Sequence, residues 1–393
     1  SAYNPQGKEV AAQLLGVNSG KAKVLVEATV PANGYAVYDI RLSGSAKSQA
    51  SATANTVENS VYKLTLDKNG DITSLYDKKA NKELVEKGKA IRLAIFTENK
   101  SYPWPAWEIL KEAIDREPQS INGDVKISVV ENGPLRTTLC VDKKHGDSNF
   151  RQYIRLYEGA LADRIDFFNE VDWATTNALV KAEFPLSVSN PKATYDLGLG
   201  TVERGNNTDI AYEVYSQRWA DLTDSGKGYG VTVMNDSKYG WDKPADNVIR
   251  LTLLHTPETD KGYAYQDKQD FGHHTFTYSL NGHSGNLDKA AANAKADVLN
   301  QRIKAFSTDK HAGKLGKTYS AASINTNKLA IKAFKKAENG EEYVVRVYDV
   351  SGNGGEGQIE FALPVVAAVE ADGTEKTIGN ASFSGNKLNV KVT

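Results

Sequence analysis

Short runs of alternating apolar and polar residues, separated by turn residues, constrain the fold of this chain most strongly. Val61–Asp67 alternates, the pair Asn69-Gly70 that follows favours a type I′ hairpin turn, and Ile72–Tyr76 resumes the alternation. A period of two places the apolar side chains on one face of a strand. Further runs of this kind are Lys126–Val130, Leu135–Val141, Gln152–Tyr157, Arg164–Val171, Val231–Met234 and Val248–Leu254. We therefore predict an all-β fold built of sandwiches rather than βαβ units.

Four segments interrupt the alternation. Leu287–Ile303 is rich in alanine and has apolar residues at near-helical spacing, so we predict a helix that ends near Arg302. Trp107–Asp115 is long enough for one or two helical turns. Ser43–Thr56, rich in Ser, Ala and Thr, and Lys310–Lys317, with two glycines, are predicted to be linkers.

Length and charge exclude several classes of protein. The chain has 393 residues, which favours two or three domains over one core. Its 48 basic and 49 acidic residues nearly cancel, so no general attraction to nucleic acid is expected. No apolar run approaches the roughly 20 residues of a membrane span. The single cysteine, Cys140, excludes an intrachain disulfide and a Cys-rich zinc site.

The first residue is not methionine, and we expect a segment of a longer protein. The lack of a signal peptide then says nothing about localisation. The compartment stays open, with export from a bacterial cell slightly favoured over the cytoplasm.

No motif of a self-sufficient active site occurs. His-x-x-x-His, Cys-x-x-Cys, an EF-hand loop, a Gly-x-Ser-x-Gly elbow and a phosphate-binding loop are all missing. We therefore assign no catalytic residue and no metal ligand in this chain. Carboxylates are plentiful, but a sequence alone cannot pair two of them across a scissile bond.

The most chemically suggestive segment contains Asp270, His273, His274 and, further on, His283. If Phe276 and its alternate neighbours face a core, His274 shares that face and His273 takes the other. A functional interpretation makes Asp270, His274 and His283 candidate sugar contacts, with His274 able to transfer protons. The structural interpretation is a histidine that hydrogen-bonds a loop carboxylate at a strand end, the commoner use of a lone His–Asp pair.

Tryptophans provide a second candidate. Trp104 lies between two prolines, which favour an extended segment, and it is the ring we expect to be exposed as a sugar-stacking candidate. Trp107, Trp173 and Trp219 have strand-like or helical neighbours, so we expect them in the core or at an interdomain contact.

An ordered series of motifs extends through the chain. Arg218–Leu222 reads Arg-Trp-Ala-Asp-Leu, Tyr229–Val231 reads Tyr-Gly-Val, and Asn235–Gly240 reads Asn-Asp-Ser-Lys-Tyr-Gly. Asp270-x-Gly-x-His-x-Phe-x-Tyr and His283-x-Gly follow. In order and spacing these motifs resemble the C-terminal region of glycoside hydrolase family 38 α-mannosidases. Further resembling elements are Asn4-Pro5, Pro31–Tyr35, Asn69–Asp77, Ala106–Ile109, Glu131–Arg136, Asp172-Trp173, Lys181–Pro185, Gly200–Arg204, Ile331–Ala337 and Val345–Asp349.

The resemblance implies a non-catalytic role for this part of the parent protein. Family members carry catalysis on an N-terminal α/β barrel, with zinc bound by His and Asp residues and an Asp nucleophile, and they are retaining enzymes. None of that barrel is in this sequence, so no cofactor is expected here and zinc is implied for the missing barrel. The expected partners are that barrel, on which the β region packs to help wall the cleft, and the α-mannoside substrate. Two departures are Pro105, where the family has Asp, and His255, where many members have Arg; a polar role of that Arg is in doubt here.

The resemblance also divides the chain into three parts. Residues 1–45 are expected to be a partial small β segment that follows a missing helical bundle. Residues 46–309 would form a large super-sandwich like that of sugar mutarotases, and residues 310–393 a small C-terminal β-sandwich. Two other functions stay open: a stand-alone carbohydrate-binding module that uses Trp104, and a mutarotase-like epimerase built on Asp270 and His274.

Overall fold

The computed structural model describes residues 1–41 and 51–393. Strands make up most of the regular structure, so the all-β prediction is confirmed. The chain divides into two compact units. Described residues 12–25 and 51–287 form the large unit, and residues 1–11, 26–41 and 288–393 form the small unit. The three-part division of the chain stays a prediction.

Nine antiparallel strands form the main sheet of the large unit. Its first four strands pair in chain order through short connections, as expected for sequential hairpins. In spatial order the strands are Gly123–Asn132, Arg136–His145, Ser148–Tyr157, Ile165–Trp173, Gly272–Ser284, Tyr229–Asn235, Trp219–Asp224, Lys192–Asp196 and Thr201–Gly205.

Two further antiparallel sheets belong to the large unit. The six-stranded sheet has the order Gln119–Ser120, Arg92–Thr97, Ala178–Pro185, Val248–Thr256, Gly240–Ala245 and Val214–Tyr215. The five-stranded sheet has the order Lys82–Glu83, Ile72–Asp77, Tyr62–Leu66, Thr56–Glu58 and Ser51–Ala52. Lys100–Ser101 pairs in parallel with Glu258–Thr259, and Ala12–Asn18 forms a hairpin with Lys21–Val26.

Aromatic contacts show that the nine- and six-stranded sheets pack face to face. Tyr278 stacks on Phe167 of its own sheet at 4.9 Å between ring centroids. It meets Phe184 of the six-stranded sheet edge-on at 5.9 Å. The buried Tyr278 hydroxyl accepts a hydrogen bond from Gln152 Nε2 at 2.8 Å, so the ring brings its polar atom into the core with a partner. The large unit is therefore a sandwich with one large core, and a separate small apolar cluster contains Ala94, Phe96, Ile114 and Leu179.

Small sheets build the other unit. Gly34–Ala36 pairs with Thr318–Ser320, and Ala2–Tyr3 lies between Glu9–Val10 and Asp39–Ile40. The four-stranded sheet has the order Ala322–Ile324, Gly355–Phe361, Lys387–Val392 and Phe383–Ser384. Two hairpins join Leu329–Lys336 to Tyr343–Asp349, and Val369–Ala371 to Thr377–Asn380.

Helices are short. The predicted helix over Leu287–Ile303 spans Lys289–Asn300, because the Asp288 side chain caps it by accepting from the Ala291 amide at 3.1 Å. The helix predicted near Trp107–Asp115 is a single turn, Lys111–Ile114. Two 3₁₀ segments, Gly159–Leu161 and Lys261–Gln266, complete the helical structure of the described residues.

The hairpin predicted at Asn69-Gly70 is present, but its type I′ turn is wrong. Gly70 has φ +71°, whereas Asn69 is not among the described residues with positive φ, and a type I′ turn needs both. The Asp67 carboxylate accepts the backbone N–H groups of Asn69 and Asp71, which fixes a different turn.

The structure describes one of the two predicted linkers in full and the other in part. Most of Ser43–Thr56 lies outside the described residues, and Ser51–Ala52 and the start of Thr56–Glu58 occupy its described end. Lys310–Lys317 is exposed and contains neither strand nor helix.

Candidate functional site

Two stacked tryptophans protrude from the large unit on residues 102–108, here called the Trp loop. Trp104 is 51% exposed and Trp107 is 82% exposed. The Trp107 amide donates to the Trp104 carbonyl at 2.9 Å, and this turn brings the two rings together at 5.3 Å and an interplanar angle of 8°. Trp107 is thus not the core residue expected from its neighbours, whereas Trp173 and Trp219 are buried as predicted.

Hydrogen bonds hold the Trp loop against residues 260–272, here called the Asp270 loop. Ser101 Oγ donates to Glu108 Oε1 at 2.9 Å and fixes one end of the Trp loop. Gln269 Nε2 donates to the Pro105 carbonyl at 2.6 Å and joins the two loops. The Thr256 hydroxyl donates in turn to the Gln269 carbonyl. The exposed rings therefore stand on a loop tied down at several points.

His255 lies beneath the Trp loop, at the position where the resemblance predicts Arg. Asn99 Nδ2 lies 3.1 Å from the ring Nδ1; because an amide nitrogen only donates, Nδ1 accepts and the ring proton is on Nε2. Nε2 is buried and, among the described residues, makes no hydrogen bond of good geometry, although the backbone carbonyls of Pro105 and Glu108 in the Trp loop favour its protonated form. Burial lowers the pKa of His255 below its ordinary value, so the ring is neutral at pH 7.

Asp270 and His274 do meet, but not as a carboxylate–imidazole pair. The Asp270 side chain accepts from the His255 backbone N–H at 2.9 Å. His274 Nε2 donates instead to the Asp270 backbone carbonyl at 2.5 Å. Asp270 has φ +63°, a left-handed conformation that turns its carbonyl toward His274.

Lys238 adds a cation beside these residues. Its ammonium lies 4.7 Å over the Phe276 ring. Burial lowers the pKa of Lys238, while Asp270 and Asp236 oppose that effect.

His283 lies in a different place from His274. The two residues are near opposite ends of strand Gly272–Ser284, about 30 Å apart along an extended chain. His283 Nε2 is 3.0 Å from Asp221 Oδ2, and its ring stacks on Tyr229 at 6.5 Å. Of the four candidate sugar contacts, Trp104 and Asp270 thus lie on the two linked loops, and His274 lies at the start of the strand that follows the Asp270 loop. His283 lies elsewhere.

Substituting the glycine beside His283 is expected to destabilise the large unit. An alanine Cβ at Gly230 would lie 2.4 Å from His283 Nε2 and 2.5 Å from Thr223 Oγ1. Gly230→Ala should therefore lower the free energy of unfolding by about 1–3 kcal/mol, measured by urea denaturation. Gly262→Ala is the matched control, since a Cβ there has no atom within 4 Å. Equal stabilities of the two variants would mean that the His283 pocket adapts without cost.

No group of three or more His, Cys, Asp and Glu side chains within residues 1–41 and 51–393 is arranged to hold a metal ion.

None of the helices in that part of the chain is both long enough and apolar enough to cross a bilayer.

The sequence did not predict that Trp107 stacks on Trp104, or that Gln269 supports the Trp loop. The spacing Trp-Pro-Ala-Trp was the available signal for Trp107, since a turn over four residues brings its ends together. Gln269 carried no such signal, because it lies 164 residues from its partner Pro105. The assembled site offers a flat aromatic surface next to an acid, an imidazole and an amine, a combination suited to binding a polyhydroxyl ligand.

Comparison with known proteins places this chain in one class, the C-terminal β region of glycoside hydrolases. Residues 57–263, just over half of the chain, match the model of the glycosyl hydrolases family 38 C-terminal domain. Residues 328–393 match the family 38 C-terminal β-sandwich domain. The chain belongs to glycosyl hydrolase family 38 and corresponds to the C-terminal region of the family's proteins.

Curated relatives are much longer than this chain. It is similar to alpha-mannosidase G of Dictyostelium discoideum, with 29% identity over 92% of this chain and 35% of that protein. Alpha-mannosidase 2C1 of Mus musculus is 27% identical over 85% of this chain and 32% of that protein. The chain thus spans about a third of the length of these relatives.

A solved structure, the alpha-mannosidase from Enterococcus faecalis, shares the fold with a TM-score of 0.72 and 17% identity. That match covers 99% of this chain and 50% of the other.

Proposed function

We propose that this chain is the non-catalytic C-terminal region of a retaining α-mannosidase. In the parent protein it would pack on an N-terminal catalytic barrel, and its Trp loop would help to wall the substrate cleft. The barrel would supply the zinc and the nucleophile. The Trp104–Trp107 stack carries the proposal, because two large rings left exposed on a firmly tied loop favour a binding role over a packing role.

The chemistry of the site supports this assignment. An indole face binds the apolar C–H face of a pyranose, while nearby charged groups reach its hydroxyls. Trp107 leaves most of its surface open, and Trp104 stacks behind it as a support. The family membership and the shared fold make an α-mannoside the expected ligand.

Truncating the outer ring in the full-length parent should weaken turnover. Trp107→Ala is expected to lower kcat/KM for an aryl α-mannoside by about two- to twelvefold, since one lost stacking contact is worth about 0.5–1.5 kcal/mol. Tyr343→Ala is a suitable control, because Tyr343 is an exposed ring (72%) of the small unit. An unchanged kcat/KM in Trp107→Ala would refute the cleft-wall role.

The isolated chain separates the proposal from its alternatives. With zinc present it should not hydrolyse aryl α-mannosides, and its Trp loop amides should exchange hydrogen faster than in the parent, where the barrel would cover them. Strong binding of mannobiose by the isolated chain, seen as a change in Trp fluorescence, would favour a stand-alone binding module instead.

A further inference from the structure

A row of alternating charges crosses the six-stranded sheet at the end away from the Trp loop. Arg92 lies directly opposite Glu183, Glu183 opposite Arg250, and Arg250 opposite Asp242. Directly opposite residues of antiparallel strands point to the same face, so the four side chains form one ladder. Lys181 lies on the same strand as Glu183, two residues before it, and extends the ladder by donating to Asp242 at 2.8 Å.

The charge ladder is costly to bury. The side chains of Lys181 and Asp242 are fully buried, and that of Arg250 is 3% exposed. Burial would raise the pKa of Asp242, but Lys181 and Arg250 hold it below its ordinary value. Because apolar residues of similar size are often no less stable than a buried ion pair, stability alone gives little reason for such a ladder. Buried charges that add little stability are expected at sites where a fold binds a ligand.

The ladder opens at its Arg92 end into a cleft of about 780 Å³, a size typical of small-molecule sites. Ser120, Ile114 and Pro118 contribute to its wall. Thr97 and Ala178 form the last pair of these two strands at the end near the Trp loop. Arg92 and Glu183 lie five residues away from that pair, about 17 Å along the strands, at the opposite end of the sheet.

The lining favours neither an anion nor a cation. Five of its lining residues are basic, among them Arg92 and Arg250, and six are acidic, among them Glu117 and Glu183. Charges of both signs are interspersed in nearly equal number, so the cleft has no strong field of one sign to attract an anion or a cation.

Spare hydrogen-bonding groups face the cleft. Arg92 Nε donates to Glu183 Oε1 at 2.8 Å. Within the described residues, the outer nitrogen Nη2 of Arg92 makes only a long contact of 3.5 Å, with the exposed Glu117 carboxylate. Glu183 Oε2 is 3.8 Å from Arg250 Nη1, too far for a good hydrogen bond. A guanidinium only donates and a carboxylate only accepts, whereas a hydroxyl does both. Two neighbouring hydroxyls can therefore bridge Arg92 and Glu183.

We propose that this cleft binds a neutral hexopyranose, with Arg92 and Glu183 contacting a vicinal pair of its hydroxyls. The site is separate from the Trp loop. Binding is expected to be weak, with a Kd of about 1–10 mM, because the cleft is open and polar.

Saturation-transfer NMR on this chain tests the proposal, with methyl α-D-mannopyranoside and methyl β-D-glucopyranoside as probes and glucuronate and glucosamine as charged comparators. At least one neutral probe should show transfer and bind better than the charged comparators. Arg92→Lys, which keeps the charge but loses the planar fork, should raise the Kd about tenfold or more. Ser120→Trp should abolish the transfer that depends on Arg92, because it fills the cleft, and Tyr343→Ala, which removes an exposed ring of the small unit, should leave that transfer intact.

Three outcomes would overturn the proposal: no transfer from either neutral probe up to about 100 mM, transfer lost in Trp107→Ala but kept in Ser120→Trp, or equal binding of glucuronate. Ala90→Trp fills the same cleft from a different loop and replaces Ser120→Trp if circular dichroism shows that Ser120→Trp does not fold.

Discussion

Replacing Asp242 with asparagine should destabilise the large unit by about 3–5 kcal/mol, because the substitution leaves buried cations without their shared counter-charge. Asp242 accepts from Lys181 Nζ at 2.8 Å, from Arg250 Nε at 3.0 Å and from Asn207 Nδ2 at 2.9 Å. Asparagine keeps the shape but removes the charge, and its amide would present N–H groups to two cations. Urea denaturation followed by Trp fluorescence measures the loss.

An exposed ion pair of the same unit provides the control. Asp142 Oδ1 accepts from Arg151 Nε at 2.7 Å, with side chains that are 37% and 52% exposed. Asp142→Asn should cost less than about 1 kcal/mol, because water screens the pair. A loss in Asp242→Asn no larger than that of the control would show that Glu183 and Glu213 supply enough negative charge by themselves.

The pH dependence of this difference follows from the sign of the pKa shift. The folded state holds the pKa of Asp242 below its ordinary value, so the carboxylate stabilises the fold fully above about pH 4, the ordinary Asp value. Its contribution is lost as the pH falls through the lowered pKa. The difference in stability between the native chain and Asp242→Asn should therefore be constant near neutrality and shrink as the pH falls below about 4.

The alternation of apolar residues predicted most of the strands because burial of one sheet face leaves a period of two in the sequence. The run Gln152–Tyr157, for example, lies within strand Ser148–Tyr157. Turn type was predicted less well, since the Asp67 carboxylate captures the amides that would otherwise set the turn at Asn69-Gly70.

The charge ladder could not be predicted from the sequence in the same way. Arg92 and Glu183 are 91 residues apart, and only the strand register brings them together. The Trp loop was half predicted: the prolines around Trp104 indicated an exposed ring, but the helix-like neighbours of Trp107 concealed its partner. Side chains that act through long-range pairing leave no periodic signal, whereas side chains that fill a layer do.

Truncating Trp173 should both destabilise the core and loosen the Trp loop. The ring is 1% exposed and meets Phe150 edge-on at 6.1 Å, so Trp173→Ala should cost about 3–5 kcal/mol. Its indole N–H also donates to Thr256 Oγ1 at 2.9 Å, and Thr256 donates to the Gln269 carbonyl. Gln269 in turn holds Pro105 of the Trp loop. A core residue is thus connected to the exposed rings through three hydrogen bonds.

Trp173→Phe separates these two roles, because phenylalanine fills most of the space but cannot donate to Thr256. We expect a loss of only about 1–2 kcal/mol in global stability, together with faster hydrogen exchange in residues 102–108 and 266–271. Trp219→Phe is the control, since Trp219 is equally buried but does not belong to the chain of hydrogen bonds from Thr256 to Pro105. If both variants changed exchange in the two loops to the same extent, Trp173 would support the core alone, and the rigidity of the Trp loop would have to come from His255 and Ser101.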